Sequence, residues 1–269
     1  MIDIGSGPPL VVLPGIQGRW EWMQPALDAL AVHCRVLSFS LCGEHGTGVR
    51  LTTRQGFDAH VEHVDRVLHV LGVDAAAICG VSFGGWVALR FAARRAERVR
   101  ALVLASAIGP RWRPDEQQVR YMRSPNLSLP AFVLAARARL RPELCEALPD
   151  RVERWRFVRR HLTRIVMHPA SPRLMARRVA LGMQEDFVQD CQRIEVPTLV
   201  VTGEPHLDRV VPVTSTREYL DEIRGAQGAT LGSTGHVGLL TRPDPWAAIV
   251  GGFVRKVAGL EPIGDGRGR

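Results

Sequence analysis

Ala75-Ala76-Ala77-Ile78-Cys79-Gly80-Val81-Ser82-Phe83-Gly84-Gly85-Trp86 is the stretch whose reading decides the fold. It begins as a short apolar run suited to a buried strand. It turns at Gly80-Val81-Ser82-Phe83-Gly84 and continues as Trp86-Val87-Ala88-Leu89-Arg90-Phe91-Ala92-Ala93, which has helix-forming composition and an apolar face. A strand, a G-x-S-x-G turn and a helix in succession make a nucleophile elbow. A serine in so sharp a turn takes strained dihedrals, and its hydroxyl projects away from both elements. Glycines two residues before and after it remove side chains that would crowd there. The helix then aims its N-terminal amides at an oxyanion formed beside the serine. G-x-S-x-G alone is a weak signal in a chain holding 26 glycines. Its weight comes from the flanking strand and helix patterns and from two loops nearer the C-terminus.

Those loops supply an acid and then a histidine, each after its own strand pattern. Val196-Pro197-Thr198-Leu199-Val200-Val201-Thr202 reads as a buried strand, and Gly203-Glu204-Pro205-His206-Leu207-Asp208-Arg209-Val210-Val211-Pro212 as the loop after it. Gly228-Ala229-Thr230-Leu231 reads as a last short strand, with the loop Gly232-Ser233-Thr234-Gly235-His236-Val237-Gly238 behind it. With Gly80-x-Ser82-x-Gly84, Gly203-Glu204…Asp208-x-x-x-Pro212 and Gly235-His236 in place, the chain resembles the α/β-hydrolase superfamily, specifically its serine-nucleophile, capped members of the carboxylesterase and lipase kind. The resemblance covers nearly the whole chain except a middle insertion. It implies an α/β fold with a mostly parallel central sheet flanked by helices and a helical cap insertion. The expected division is a core of residues 1–108 and 195–269 with a cap of residues 109–194.

By the same resemblance Ser82 is the nucleophile, His236 the base and then the acid, and Asp208 the group that orients the imidazole. Glu204 comes directly after its strand and is the rival acid; the Asp-x-x-x-Pro spacing favours Asp208. Pro9 to Leu13 reads as an early strand, and Pro14-Gly15-Ile16-Gln17-Gly18 as the turn after it. The superfamily has His-Gly at this place. Here Pro14 replaces the histidine and Gly15 matches. Carried over by position, the oxyanion hole is the backbone amides of Ile16 and Phe83, with Gln17 the alternative to Ile16. The family implies an acyl-enzyme on Ser82, released by water. Serine at the elbow disfavours epoxide hydrolases and haloalkane dehalogenases of this fold, which use aspartate. Esters, thioesters, lactones and C–C bonds of dienone acids remain as substrates. A non-catalytic, receptor-like protein of this fold is the alternative from a different class.

Composition bounds these readings. The 269 residues suit one large α/β domain with an insertion, and 46% hydrophobic content suits a substantial core. No apolar run reaches the roughly 18 residues of a membrane span, and the first residues carry no secretory signal pattern. A cytoplasmic location is the expectation. Only about ten residues precede the first strand, fewer than the hairpin that begins most relatives. The five cysteines Cys34, Cys42, Cys79, Cys145 and Cys191 form no C-x-x-C pair and suggest no disulfide framework. Cys42 is read as inert in preference to a reactive thiol.

The formal charge is +8, and Lys256 is the only lysine. The arginines between Arg111 and Arg178 read as solvated helix faces, and no nucleic-acid motif accompanies them. A small-molecule substrate is the expected partner. No cofactor or metal is implied. His60 and His63 stand at i and i+3 on a helical pattern from Thr53 to Leu71, but no third ligand is near, so a solvated face is expected there. Glu44 and His45 stand where relatives carry a Gly-rich turn; they read as a solvent-facing pair or as substrate contacts. In the insertion, Leu129, Phe132, Val133, Ala136 and Leu140 share one face. So do Val152, Trp155, Val158, Leu162 and Ile165, after a capping-box pattern at Asp150 to Glu153. Ser171-Pro172 opens a further helix. These stripes are expected to pack the cap on the core and to line an acyl or aromatic pocket.

Overall fold

The computed structural model describes residues 1–49, 51 and 56–260. Its centre is a seven-stranded sheet of β1 (Ile2–Ile4), β2 (Pro9–Leu13), β3 (Arg35–Ser38), β4 (Ala76–Val81), β5 (Val99–Ala105), β6 (Thr198–Thr202) and β7 (Gln227–Thr230). The spatial order is β1-β3-β2-β4-β5-β6-β7. Every ladder is parallel except the edge pair β1 and β3. The sequence pattern missed β1. Its three residues carry no apolar run, and it exists only because the exposed edge of β3 offers it a partner.

The interior strands are buried on both faces, as parallel strands must be when helices cover both sides. Along β2, Leu10 and Val12 point to one core cluster, and Val11 and Leu13 to the other. On the first side lie α1 (Gln24–Leu30) and α11 (Pro243–Val257). On the second lie α2 (Asp58–Val70), α3 (Phe83–Arg94) and α9 (Val213–Glu222). Thr53, expected to open the second helix, lies outside the described residues, as does the chain after residue 260.

Between β5 and β6 the chain forms α4 (Glu116–Arg123), α5 (Leu129–Ala147), α6 (Arg151–Met167), α7 (Pro172–Gly182) and α8 (Phe187–Gln192). Ser171 caps α7 by accepting from the Leu174 amide. Asp150 likewise caps α6 through the Glu153 amide. The reciprocal capping box forms elsewhere, between Asp115 and Gln118 at α4.

Two kinds of contact fasten the return of the insertion to the core. Phe187 stacks on Trp86 of α3 with ring centroids 4.6 Å apart. Arg90 of α3 reaches Asp58 at 2.9 Å, Glu185 at 2.6 Å and Asp190 at 2.9 Å, so one guanidinium joins α2, α3 and the start of α8. Burial alone would push the Asp190 carboxyl up; the Arg90 hydrogen bond and charge oppose that.

Two expected stripes do not pack as wholes. On α5, Leu129 and Val133 are exposed, while Phe132, Ala136 and Leu140 are half-buried. On α6, Val152, Trp155 and Leu162 are exposed, and the inner face is Phe157, Val158, His161 and Ile165. The apolar sector of each helix is wider than the surface offered to it, so only one edge of the stripe is covered.

Two further expectations are corrected here. His60 and His63 are buried, not solvated. The His60 ring packs edge-on to Phe57 and Phe83, and His63 edge-on to Phe39. Burial pushes the His60 pKa down to about 3, so this ring is neutral. The arginines between Arg111 and Arg178 are not all solvated either, since Arg178 is fully buried. Helical spacing identifies a face but not how far the neighbours wrap around it, and α2 is covered by α3 and by Phe39, Cys42 and Phe57.

Candidate active site

Ser82 sits between β4 and α3 with φ 53° and ψ −118°, a left-handed backbone that a residue with a side chain adopts only under constraint. Two flanking glycines make room around it. A Cβ on Gly80 would strike the Gly84 carbonyl, and one on Gly84 would fall 2.5 Å from the Leu13 carbonyl oxygen. Gly80 thus relieves the elbow itself, as its position implies. Gly84 instead lets α3 press against the end of β2. Gly85 does the same toward Ala107, whose Cβ would lie inside contact range of any added methyl. The Ser82 amide donates to the Ala105 carbonyl at 3.0 Å, and the Ser82 carbonyl accepts from the Ile108 amide at 3.3 Å. The serine is therefore fixed by the end of β5 and by the chain just beyond it.

The loop after β7 brings His236 to it. His236 Nε2 lies 3.1 Å from Ser82 Oγ, and His236 Nδ1 lies 3.2 Å from Asp208 Oδ2. Asp208 Oδ1 accepts from the Val210 and Val211 amides, both at 3.0 Å, which fixes the carboxylate's second oxygen. Glu204 faces elsewhere: its Oε1 accepts from the Ser233 amide at 2.7 Å and so supports the histidine loop. Gly203 and Gly235 let the two loops touch, because a Cβ on either would meet backbone of the other loop. Burial on its own would lower the imidazole's pKa. The Asp208 charge and hydrogen bond, with Glu143 adding its own charge, outweigh that and hold His236 above the ordinary histidine value.

Glu143 is a site residue that no sequence motif marks. It comes from α5, directly after Pro142, and is fully buried. Both of its oxygens accept from the Val237 amide, at 2.9 and 3.1 Å. Burial raises its pKa, and the Val237 and Gly235 amides and the His236 ring oppose that rise. It has no arginine partner among the described residues, in a chain rich in arginine. Nothing in the local sequence distinguishes it from a solvated glutamate; its partners lie about ninety residues away.

The turn after β2 lies on the other side of the serine. A Cβ on Gly15 would stand 3.4 Å from Ser82 Cβ. Phe83, first residue of α3, has an N–H with no acceptor inside its own helix. Ile16 N–H makes no hydrogen bond among the described residues. The Ile16 carbonyl accepts from Arg178 Nη1 at 2.8 Å. Arg178, from α7, is fully buried and pairs through Nη2 with Glu44 Oε1 at 2.7 Å. A Cβ on Gly18, at φ +72°, would run into this guanidinium. Glu44 is thus neither solvent-facing nor free to meet a substrate. The sequence marked Glu44 as unusual but could not supply its partner.

Cys42 is buried, with its sulfur 3.0 Å from His60 Nδ1, and burial pushes its pKa up to about 12. It is a neutral thiol under the loop and matches the inert reading. Among the described residues, no group of three or more His, Cys, Asp or Glu side chains is placed to hold a metal ion. No described helix is long and apolar enough to cross a membrane.

Comparison with known proteins places the fold. Residues 8–243 match the family model described as alpha/beta hydrolase fold. The 2-hydroxymuconate semialdehyde hydrolase of Pseudomonas sp. (strain CF600) is 27% identical over 268 residues, spanning 94% of this chain and 88% of that protein. The 3-oxoadipate enol-lactonase 1 of Acinetobacter baylyi is 24% identical over 242 residues, spanning 89% of this chain and 85% of that one. A solved hydrolase from Pseudomonas aeruginosa PA01 superposes with a TM-score of 0.76 at 23% identity, covering 96% of this chain and 93% of its own.

Proposed function

This chain belongs to the alpha/beta hydrolase fold family and is a hydrolase of that fold, and we propose that it cleaves a carboxylic ester or related acyl bond through an acyl-enzyme on Ser82. The observation that carries this reading is the unbroken chain from Ser82 Oγ through His236 to Asp208, with contacts of 3.1 and 3.2 Å. Serine at its ordinary pKa is a poor nucleophile, so it needs a base within reach and a group that holds the base.

In the forward step His236 Nε2 accepts the Ser82 proton as Oγ attacks the carbonyl carbon. The carbonyl oxygen becomes an oxyanion, and the amides of Ile16 and Phe83 receive it. The resulting imidazolium is held by Asp208, with the Glu143 charge nearby. As the intermediate collapses, the C–O bond to the leaving group breaks and His236 returns the proton to that group. Water then repeats the sequence in reverse on the acyl-enzyme: His236 takes its proton, and Ser82 is regenerated as the acid is released. The insertion, residues 109–194, serves as a cap that holds substrate against Ser82.

The test is labelling with a fluorophosphonate probe, with mass spectrometry to locate the adduct. Wild type labelled at Ser82, with no labelling of Ser82→Ala and strongly slowed labelling of His236→Ala, supports the reading. Folded wild type that neither labels nor turns over a short activated ester excludes it and favours a receptor-like role. A second reading, hydrolysis of a C–C bond, draws support from the likeness to the semialdehyde hydrolase. Such substrates carry a carboxylate. Arg178, the fully buried arginine of the insertion, is already matched by Glu44 and so is not free to receive it. The acyl-bond reading is therefore preferred.

A further inference from the structure

The net charge of this protein is not spread over it. Residues 109–194 hold seventeen arginines and nine acidic residues, a surplus of eight, which equals the formal charge of the whole chain. The large exposed apolar side chains have the same address. Nine of the thirteen found among the described residues fall between Leu127 and Met167. Cationic and apolar surface therefore coincide on α5 and α6.

The arrangement on α6 is ordered. At 3.6 residues per turn, Val152, Trp155, Leu162, Val166 and Met167 fall within an arc of about 140°. All five are exposed, Val166 by 77% and Trp155 by 61%. Arg156 and Arg159 lie inside the same arc, and Arg151 and Arg160 border it. The Arg159 guanidinium sits 5.1 Å above the Trp155 ring. None of these four arginines forms an ion pair among the described residues. On α5, Leu129, Val133 and Leu134 are exposed beside Arg137 and Arg141.

We infer that the outer face of α6 docks on the surface of an anionic lipid bilayer. Three features select this occupant. Aliphatic and indole side chains at helical spacing enter the boundary between headgroups and acyl chains. Arginine, in place of lysine, presents a planar fork that binds phosphate oxygens in pairs. The face is short of acids; Glu153 is the only one inside α6. That shortage argues against a second copy of this chain, because an antiparallel pairing of α6 centred near Arg159 would set Arg156, Arg159 and Arg160 against the same three residues. A bilayer supplies both the apolar layer and the opposite charge. The helix lies on the membrane without crossing it. The inference concerns a surface away from Ser82 and stands apart from the proposed reaction.

The test is co-sedimentation with vesicles, run on wild type and on Ser82→Ala so that it does not depend on activity. Vesicles of phosphatidylcholine alone are compared with vesicles holding about 30% phosphatidylglycerol. Partitioning should rise about tenfold or more on the anionic vesicles and fall several-fold as salt rises from about 0.05 to about 0.5 M. Trp155→Ser/Leu162→Ser and Arg156→Glu/Arg159→Glu/Arg160→Glu should each abolish it while thermal melting and ester turnover stay at the wild-type level. No partitioning into anionic vesicles at low salt overturns the inference. So does equal partitioning into neutral vesicles, or a dimer in light scattering that Trp155→Ser/Leu162→Ser dissolves.

Discussion

The sheet and the helical insertion both reach Ser82, and they reach it by different means. The sheet works through backbone. Main-chain hydrogen bonds at the ends of β4 and β5 fix the serine, glycines at 80, 84 and 85 admit the close approaches, and the loops after β6 and β7 interlock through Gly203 and Gly235. The insertion works through two buried charged side chains. Arg178 holds the Ile16 carbonyl and Glu44, and Glu143 holds the Val237 amide beside His236. Backbone constraint is cheap once the fold is made. A buried charge persists only where its partners stay in place. The insertion is therefore coupled to the chemistry at two points, one on each side of the serine, and its outer helix face is free of that duty.

The largest expected effects lie on the sheet side. Ser82→Ala or His236→Ala should lower kcat on an activated ester by on the order of 10⁶, with unfolding curves unchanged. Asp208→Asn should cost about 10³–10⁴, whereas Glu204→Gln, which keeps an acceptor for the Ser233 amide, should stay within a few-fold. An inactive Glu204→Gln beside a near-normal Asp208→Asn would reverse the assignment of the acid.

On the insertion side the effects should be smaller and should separate stability from turnover. Arg178→Met leaves Glu44 buried without a partner, so denaturant melts should show a loss of about 3–5 kcal/mol. It also frees the Ile16 carbonyl, and kcat should fall about 10²-fold, the scale of one lost oxyanion donor. Adding Glu44→Leu should restore most of the stability and little of the kcat. Recovery of both would mean that Arg178 supports the fold alone.

Glu143→Gln keeps an acceptor for Val237 but removes a negative charge near the imidazole. The proposed reaction needs His236 neutral, and neighbouring carboxylates hold its pKa above the ordinary value of about 6.5. The acid limb of the kcat/KM profile should therefore lie above that value in wild type. It should move to lower pH in Glu143→Gln, because loss of the charge favours the neutral ring. A profile that superimposes on wild type would reduce Glu143 to a structural hydrogen bond. The smallest effect should come from Cys42→Ala, with turnover within about twofold and no iodoacetamide adduct at Cys42 in the native wild type.

How far the site is legible in sequence depends on the range of each interaction. Ser82, Asp208 and His236 stand in motifs whose spacing is set by a strand end and the loop after it, so a local pattern can point to them. Their meeting within hydrogen-bond distance needed the sheet. Glu143 and Arg178 belong to no local pattern. Each is an ordinary helical residue until α5 and α7 fold back on loops 94 and 162 residues away. His60 and His63 show the same blindness from the other direction. Their spacing suits a solvated face, and only the packing of Phe57, Phe83 and Phe39 makes them core.

The sequence by itself determined the alternation of strands and helices, the strained serine turn, and the excess of arginine between β5 and β6. These rest on periodicity, on glycine and on charge, all of which act within a few residues. The tertiary structure alone decided which charges are buried, which apolar stripes are covered, and how the sheet ends at β1. Those outcomes depend on how much surface each element offers its neighbours, and that is fixed only when the layers close.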